Sequence, residues 1–392
     1  MKNKKQLISL ELIHKFVSVF SDFFLNIYLF KISGNDFNFI LLYDTINSVL
    51  GCVYCLFLMK TISPKTANTI FRSGYVCEII AILMLLIFKE QIIGFIWVFL
   101  LIHRYAKSSY YAVYEQVLIG SSGKHSLSSY VAGVNILGTI VSLGAPILLG
   151  FLITDYSYFV AMGFILISAI ASMIIATKSD FKVVNEEFHL FKFWRKAFKN
   201  KTMRIAYLDS FLNRLGGTHG VLKPLIPILL VLALGTEFSA GSYDSLFSVI
   251  YIILLEIVRL LNRKGAKKRL YMPLSLFCLI SAIVMISNFN IFSILLLYFS
   301  LRTGGHLIHS EYDSMIYAIG KKEKLARYSN EHHFTWDLFL TMGHLTGIAL
   351  AYIVYNYLYS KEAFALIIVI LMVFFVLHAY FLQKLEMKLN NK

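Results

Sequence analysis

The stretch Leu301-Arg302-Thr303-Gly304-Gly305-His306-Leu307-Ile308-His309-Ser310-Glu311-Tyr312-Asp313 closes an apolar run that begins near Ile291. Arg302, His306, His309 and Asp313 recur at helical spacing, so one face of a helix carries all four. An apolar helix with a single charged stripe has that stripe turned away from lipid, because a charged side chain at the centre of a bilayer costs about 3 kcal/mol or more. The run from about Ile92 to Leu118 repeats the arrangement with Arg104, Lys107, Tyr111 and Glu115. In both runs a carboxylate follows the Arg by about three helical turns. The two Args stand about half the chain apart, which reads as a duplication.

The composition agrees with a membrane protein. The chain has 392 residues, of which 58% are hydrophobic and 15% charged, with a mean hydropathy of +0.69. Apolar runs long enough to cross a bilayer of roughly 30 Å recur about twelve times. They fall near 8–30, 37–59, 72–88, 92–118, 128–153, 156–177, 205–234, 239–261, 271–288, 291–318, 326–358 and 362–382. The expected fold is an all-α polytopic membrane protein with twelve transmembrane helices in two pseudo-symmetric six-helix bundles. The first bundle is residues 1–177 and the second residues 205–392, joined by a cytoplasmic linker at 178–204 that holds an amphipathic helix.

The formal net charge of +15 does not indicate a nucleic-acid partner. With the amino terminus inside, about 27 Lys and Arg fall on the cytoplasmic side and about three (Lys31, Lys89, Lys361) outside, as the positive-inside rule requires. Both termini are therefore expected in the cytoplasm, and the chain in the plasma membrane as a monomer. The first run contains His14, Lys15 and Asp22 and lacks a small-residue cleavage site, so it reads as a span and not as a signal peptide. Cys52 and Cys55 form a C-x-x-C without a second pair or a flanking His, which favours packing over redox or zinc chemistry.

Tyr43-Asp44-Thr45-Ile46-Asn47-Ser48-Val49 matches Tyr243-Asp244-Ser245-Leu246-Phe247-Ser248-Val249, and Arg104, Tyr114, Glu115, Leu127 and Tyr130 match Arg302, Tyr312, Asp313, Leu325 and Tyr328. An even number of spans per half makes such repeats parallel about an axis along the membrane normal. In the linker, Phe191, Trp194 and Phe198 are expected on one side of a short interfacial helix and Lys192, Arg195, Lys196 and Lys199 around the other.

Four spans hold the intramembrane charge. The first has Glu11, Lys15, Ser18, Asp22 and Asn26 in one stripe, and the fourth has His103, Arg104, Lys107 and Glu115. The seventh has Asp209, Asn213, Arg214, His219 and Lys223, and the tenth has the opening stripe. Each is the first or fourth helix of its half, and a shared polar cavity would satisfy all four. His103, Arg104, Lys107, Arg214, Arg302 and His306 are the candidate substrate-binding residues, and their basicity suits an anionic or zwitterionic ligand. Asp22 is the leading proton acceptor, with Glu115 and Asp313 as gate carboxylates, since a carboxylate beside a movable cation can couple protonation to conformation.

His306-x-x-His309 with His332, His333 and Asp337 has metal-ligand residue types, but nothing in the sequence fixes their separation, so no metal or other cofactor is expected. Gly216-Gly217-Thr218-His219-Gly220 lies within a span and lacks the Lys and Ser/Thr of a nucleotide loop, so it reads as a close-packed or flexible helix segment.

The twelve-span plan, the basic central loop and the polar first and fourth helices resemble the major facilitator superfamily over essentially the whole chain. L-x-x-R-x-x-K-S-x-x-x-A from Leu101 is similar to that family's Arg-containing fourth-helix motif, with Lys107 and Ser108 where Gln and Gly are usual. Gly133 to Gly150 resembles the Gly/Pro motif of its proton-coupled exporters. Asn262-Arg263-Lys264-Gly265-Ala266-Lys267-Lys268 resembles its cytoplasmic loop motif, and the corresponding loop 60–72 lacks the Gly and Asp.

The resemblance implies a secondary transporter working by alternating access and not an enzyme, with a small-molecule substrate, protons and the lipid bilayer as partners. Proton-coupled export of an amphiphilic or anionic organic compound is the expected activity. The alternatives are proton-coupled uptake of a small organic anion, a non-transporting membrane sensor on the same scaffold, and a metal-dependent membrane enzyme.

Overall fold

The computed structural model describes residues 2–120, 124–181, 183, 187–262, 270–322, 328–358 and 361–390. Among them every regular element is helical. The order is α1 (Lys2–Val19), a π turn (Phe20–Phe24), α2 (Leu25–Ile32), α3 (Phe37–Thr61), α4 (Ala67–Phe88), a 3-10 segment (Lys89–Phe95), α5 (Ile96–Gly120), α6 (Lys124–Asp155) and α7 (Tyr158–Thr177). It continues with α8 (Leu190–Ala197), α9 (Lys201–Gly216), α10 (Leu222–Leu234), α11 (Glu237–Asn262), α12 (Tyr271–Ser287), α13 (Ile291–Ser300), a second π turn (Leu301–Gly305), α14 (His306–Lys322), α15 (Ser329–Leu358) and α16 (Lys361–Asn390).

The helix starts follow from side chains that satisfy orphaned backbone N–H groups. Asp36 caps α3 by accepting from Asn38 N at 2.9 Å, and Asn200 caps α9 by accepting from Thr202 N at 2.8 Å. Asn290 and Ser293 form a reciprocal capping box at α13. Gly235 ends α10 with φ of 83°, a left-handed conformation that a Cβ would oppose.

The chain divides into two compact units. The first is Met1–Phe188 with Thr236–Ser245, and the second is His189–Gly235 with Leu246–Lys392. In the first unit α4 packs on α5 and α7, α1 on α6 and α7, and α3 on α5. Leu10, Phe71, Tyr75, Tyr110 and Val113 share one buried cluster there. Arg72 ties the end of α7 down by donating to the carbonyls of Thr177 and Ser179, each at 3.2 Å. In the second unit α9 lies against α15 and α16, and α12 against α13 and α16. The linker helix α8 joins this unit through buried Phe193 and through Trp194 Nε1, which donates to Thr335 Oγ1 at 2.8 Å, whereas Phe191 is 81% exposed.

Seven described stretches are long and apolar enough to cross a membrane: Phe37–Thr61, Ala67–Tyr114, Tyr158–Thr177, Glu237–Val258, Ile291–Asp313, Ser329–Tyr357 and Ala365–Lys388. Shorter apolar helices run over Leu143–Asp155, Leu222–Leu234 and Tyr271–Ser287. Large apolar side chains such as Phe57, Ile87, Ile167 and Phe292 project outward from these helices. That pattern is a liability in water and the expected surface in lipid.

Several of the runs read as continuous spans depart from a plain α-helix. The run 8–30 contains the π turn Phe20–Phe24. The run 205–234 is broken, because α9 ends at Gly216 and α10 begins at Leu222. Gly216-Gly217-Thr218-His219-Gly220 is therefore a helix interruption and not a helix segment. Consecutive glycines remove the helical bias of the backbone, and each costs about 1 kcal/mol relative to Ala in a helix interior. The interruption is closed by turn hydrogen bonds from Gly217 N to Asn213 O at 2.7 Å and from Lys223 N to Gly220 O at 3.0 Å.

Candidate functional site

The interruption and the second π turn meet in the second unit. Gly305, the last residue of the π turn, faces Thr218, and an ideal Cβ on Gly305 would stand 2.5 Å from Thr218 Cγ2. The two irregular stretches touch because that position has no side chain. Arg302 lies inside the π turn. It donates to Ser248 Oγ from Nε at 3.1 Å and from Nη2 at 2.8 Å, and its Nη1 is 3.1 Å from His306 Nε2.

From the interruption, His219 stacks on His309 with ring centroids 3.8 Å apart and meets His306 edge-on at 5.2 Å. Arg214 turns back to donate to the carbonyl of His219. Asn213 Nδ2 is 3.4 Å from His309 Nδ1, and His309 Nε2 is 3.5 Å from Asp313 Oδ2. Among the described residues, Thr218 Oγ1 and His219 Nε2 are buried without a hydrogen-bond partner. Orphaned polar atoms inside a closed structure are rare, and two in one broken turn mark a place that a ligand could satisfy.

The first unit builds a different cluster. Asp22 lies in its π turn, accepts from Lys107 Nζ of α5 at 2.9 Å, and leaves its backbone carbonyl to Asn26 Nδ2 at 3.0 Å. About three helical turns earlier, Glu11 accepts from Tyr110 Oη and stands 3.8 Å from Lys15 Nζ. His14 stacks on Tyr110 at 3.6 Å, and buried His103 stacks on Phe99 at 5.2 Å. The Arg104 guanidinium occupies the space where Gly51 lacks a Cβ, and Arg104 Nε is buried with no hydrogen-bond partner among the described residues. Away from this cluster, Lys31 and Tyr158 both reach Glu237, the tyrosine hydroxyl at 2.8 Å.

Arg214, Arg302, His306 and Asp313 are thus brought to one place in the second unit, and Asp22 and Lys107 are brought to hydrogen-bond distance in the first. The ion pair of Asp22, at 2.9 Å, is with Lys107, while Arg104 is drawn onto Gly51 of α3. The side chain of Glu115 lies outside the described residues, as do those of Leu127, Tyr130 and Leu325 and the loop motif 263–268. His332 bonds Tyr207 Oη through Nδ1 at 2.8 Å. Among the described residues no group of three or more His, Cys, Asp or Glu is arranged to hold a metal ion.

Spacing alone does not single out His219 within the glycine-rich run 216–220. Nor does it single out His378, which lies in the apolar run of α16 and is bonded to Asp209.

No protein-family model matches the sequence, and no curated protein does. Solved structures match over nearly the whole chain. The nucleoside transporter NupG is 13% identical, with a TM-score of 0.66, over 97% of this chain and 99% of its own. A bacterial homologue of the iron transporter ferroportin in an inward-facing state is 14% identical, with a TM-score of 0.64, over 97% and 98%. A bacterial metal transporter is 13% identical, with a TM-score of 0.59, over 98% and 99%. The chain has the fold of these transporters. That fold is the one expected from the resemblance to the major facilitator superfamily.

Proposed function

We propose that the chain is a secondary active transporter with twelve spans in two six-helix halves, moving its substrate by alternating access and not acting as an enzyme. The observation that carries this reading is the meeting of the broken helix at 217–221 with the π turn at Leu301–Gly305. Transporters of repeated architecture place substrate against discontinuous helices, where freed backbone groups and helix ends face the ligand. π turns are likewise concentrated at functional positions.

The substrate is an amphiphilic or anionic organic compound, bound by Arg302, Arg214, His306 and His219, and its transport is coupled to protons. The structural neighbours are a metal transporter, a homologue of an iron transporter and a nucleoside transporter. A metal cation is disfavoured at this site because Arg302, Arg214 and Lys223 surround the histidines with like charge. In the first unit Asp22 is the proton acceptor, released or held according to its contact with Lys107, and His103 and Arg104 line the same helix. Glu115 and Asp313 act as gate carboxylates. The protein is a monomer of the plasma membrane with both termini in the cytoplasm. Export is the direction implied by the fourth- and fifth-helix resemblances; uptake of a small organic anion is the second reading, favoured by the basic cluster itself.

Reconstitution decides between these readings and a sensor. Under an imposed proton gradient, proteoliposomes holding the protein are expected to move at least one member of a panel of organic anions and amphiphiles, with the sign of flux giving the direction. Binding of such a compound with no flux at any gradient would remove transport and leave the sensor.

A further inference from the structure

We infer that Asp209 and His378 form a proton-binding site in the second unit, electrically linked to the helix interruption. Asp209 of α9 and His378 of α16 are both fully buried, and His378 Nδ1 is 2.8 Å from Asp209 Oδ1. Their other polar atoms, Asp209 Oδ2 and His378 Nε2, are buried with no hydrogen-bond partner among the described residues. An apolar pair would serve packing at least as well, and orphaned polar ends lower stability, so the arrangement has no structural return.

With one proton across the two groups the pair is neutral; losing that proton to solvent leaves a net negative charge between two helices, and a second proton leaves a net positive one. Proton binding therefore changes the buried charge by one unit, which is the property a coupling site needs.

Geometry joins the pair to the interruption. Seven residues beyond Asp209, α9 ends at Gly216, and the backbone of Leu371 and Phe375 in α16 occupies the space where Gly216 lacks a Cβ. The charge pair and the break thus lie on one helix–helix seam, about 10 Å apart along α9. Side chains bridge the same gap. The Tyr312 ring is 5.4 Å from that of His378, His309 is 6.1 Å from Tyr312, and His219 is stacked on His309.

From α14, Tyr312 and His309 are the ionisable groups facing the pair. From α15, Trp336 donates to Tyr312 Oη at 2.5 Å and does not titrate, while the His333 ring lies 5.9 Å from that of Trp336 and His332 is bonded to Tyr207 of α9. α12, which packs on α16, carries Tyr271 and Cys278. Unit charges roughly 10 Å apart at an effective dielectric of about 20 influence each other's binding on the order of tenfold. A negative ligand at the break and a proton at the pair then favour each other, and the effect is reciprocal. The sense of this coupling rests on the anion reading of the site; the existence of the proton site does not.

The test needs no ligand. Proton uptake by purified full-length protein in detergent is counted between mildly alkaline and mildly acidic buffer, with infrared difference spectra recording carboxyl and imidazole bands. Asp209→Asn and His378→Gln, close in volume to the native residues, are each expected to take up one proton fewer and to lose the same bands, while Asp22→Asn keeps them. Removing a positive charge at the break by Arg214→Gln is expected to move the titration of those bands to higher pH by up to about one unit. Unchanged uptake and bands in both Asp209→Asn and His378→Gln would overturn the proton site. Loss of the bands in those variants with no shift in Arg214→Gln would keep the site and overturn its link to the break. Neither result would bear on whether Asp22 couples protons in the first unit.

Discussion

Each unit contains a π turn with an ionisable residue inside it, and the two surroundings differ in kind. Asp22 meets an ammonium, Lys107, at 2.9 Å. Nearby Glu11 accepts from Tyr110 and stands beside Lys15. Arg302 in the second unit is held by the Ser248 hydroxyl and the His306 imidazole, and Arg214 is turned onto a backbone carbonyl. The first cluster answers charge with charge, which suits a switch that opens when one partner is protonated. The second gathers basic groups around an interrupted helix, which suits recognition of an anion. Only the second pairs its π turn with a break in a neighbouring helix among the described residues, and it is there that we propose the substrate binds.

The largest effect is expected at the seam of the second unit. Gly216 is in backbone contact with α16, so Gly216→Leu is expected to destabilise by about 3 kcal/mol, read as a fall in the detergent melting temperature. Gly163, with nothing within 4 Å of its would-be Cβ, is the control. Gly163→Ala is expected to shift stability by no more than about 1 kcal/mol, in the stabilising direction.

A smaller effect is expected in the first unit. Lys107→Met leaves Asp22 without its ammonium, a cost of about 1–2 kcal/mol once the partial exposure of the carboxylate, 35%, is discounted. Adding Asp22→Asn is expected to recover part of that loss. A thermal-unfolding double-mutant cycle checks it, and strict additivity of the two changes would mean the pair does not interact.

Much of this was legible in the sequence because charge in an apolar helix has few permitted places. The stripe Arg302, His306, His309, Asp313 marks one face of the tenth run, and along it Arg302 meets His306 and His309 meets Asp313. Register within the first run was harder. A π turn adds one residue to a helical turn and rotates the remainder of the helix by about 100°. Nothing in Phe20-Ser21-Asp22-Phe23-Phe24 announces it, so spacing alone does not pair Asp22 with Lys107. The missing side chain of Gly51 likewise draws in Arg104, a contact between α5 and α3 that the sequence does not reveal. His378 was hidden for a plainer cause. Its neighbours in α16 are apolar, and its partner Asp209 is 169 positions away.

The decisive question is whether an organic anion binds at the broken helix. Tryptophan emission is a suitable readout, since the chain has three Trp and one of them, Trp336, is bonded to Tyr312 beside the cluster. A panel of organic anions titrated into the detergent-purified protein is expected to include at least one that changes this emission. Its affinity should fall by tenfold or more in Arg302→Ala, on the order of a lost charge-assisted hydrogen bond, and stay within about twofold in Lys107→Met. Equal loss in both variants, or binding indifferent to Arg302→Ala, would contradict the placement of the substrate in the second unit.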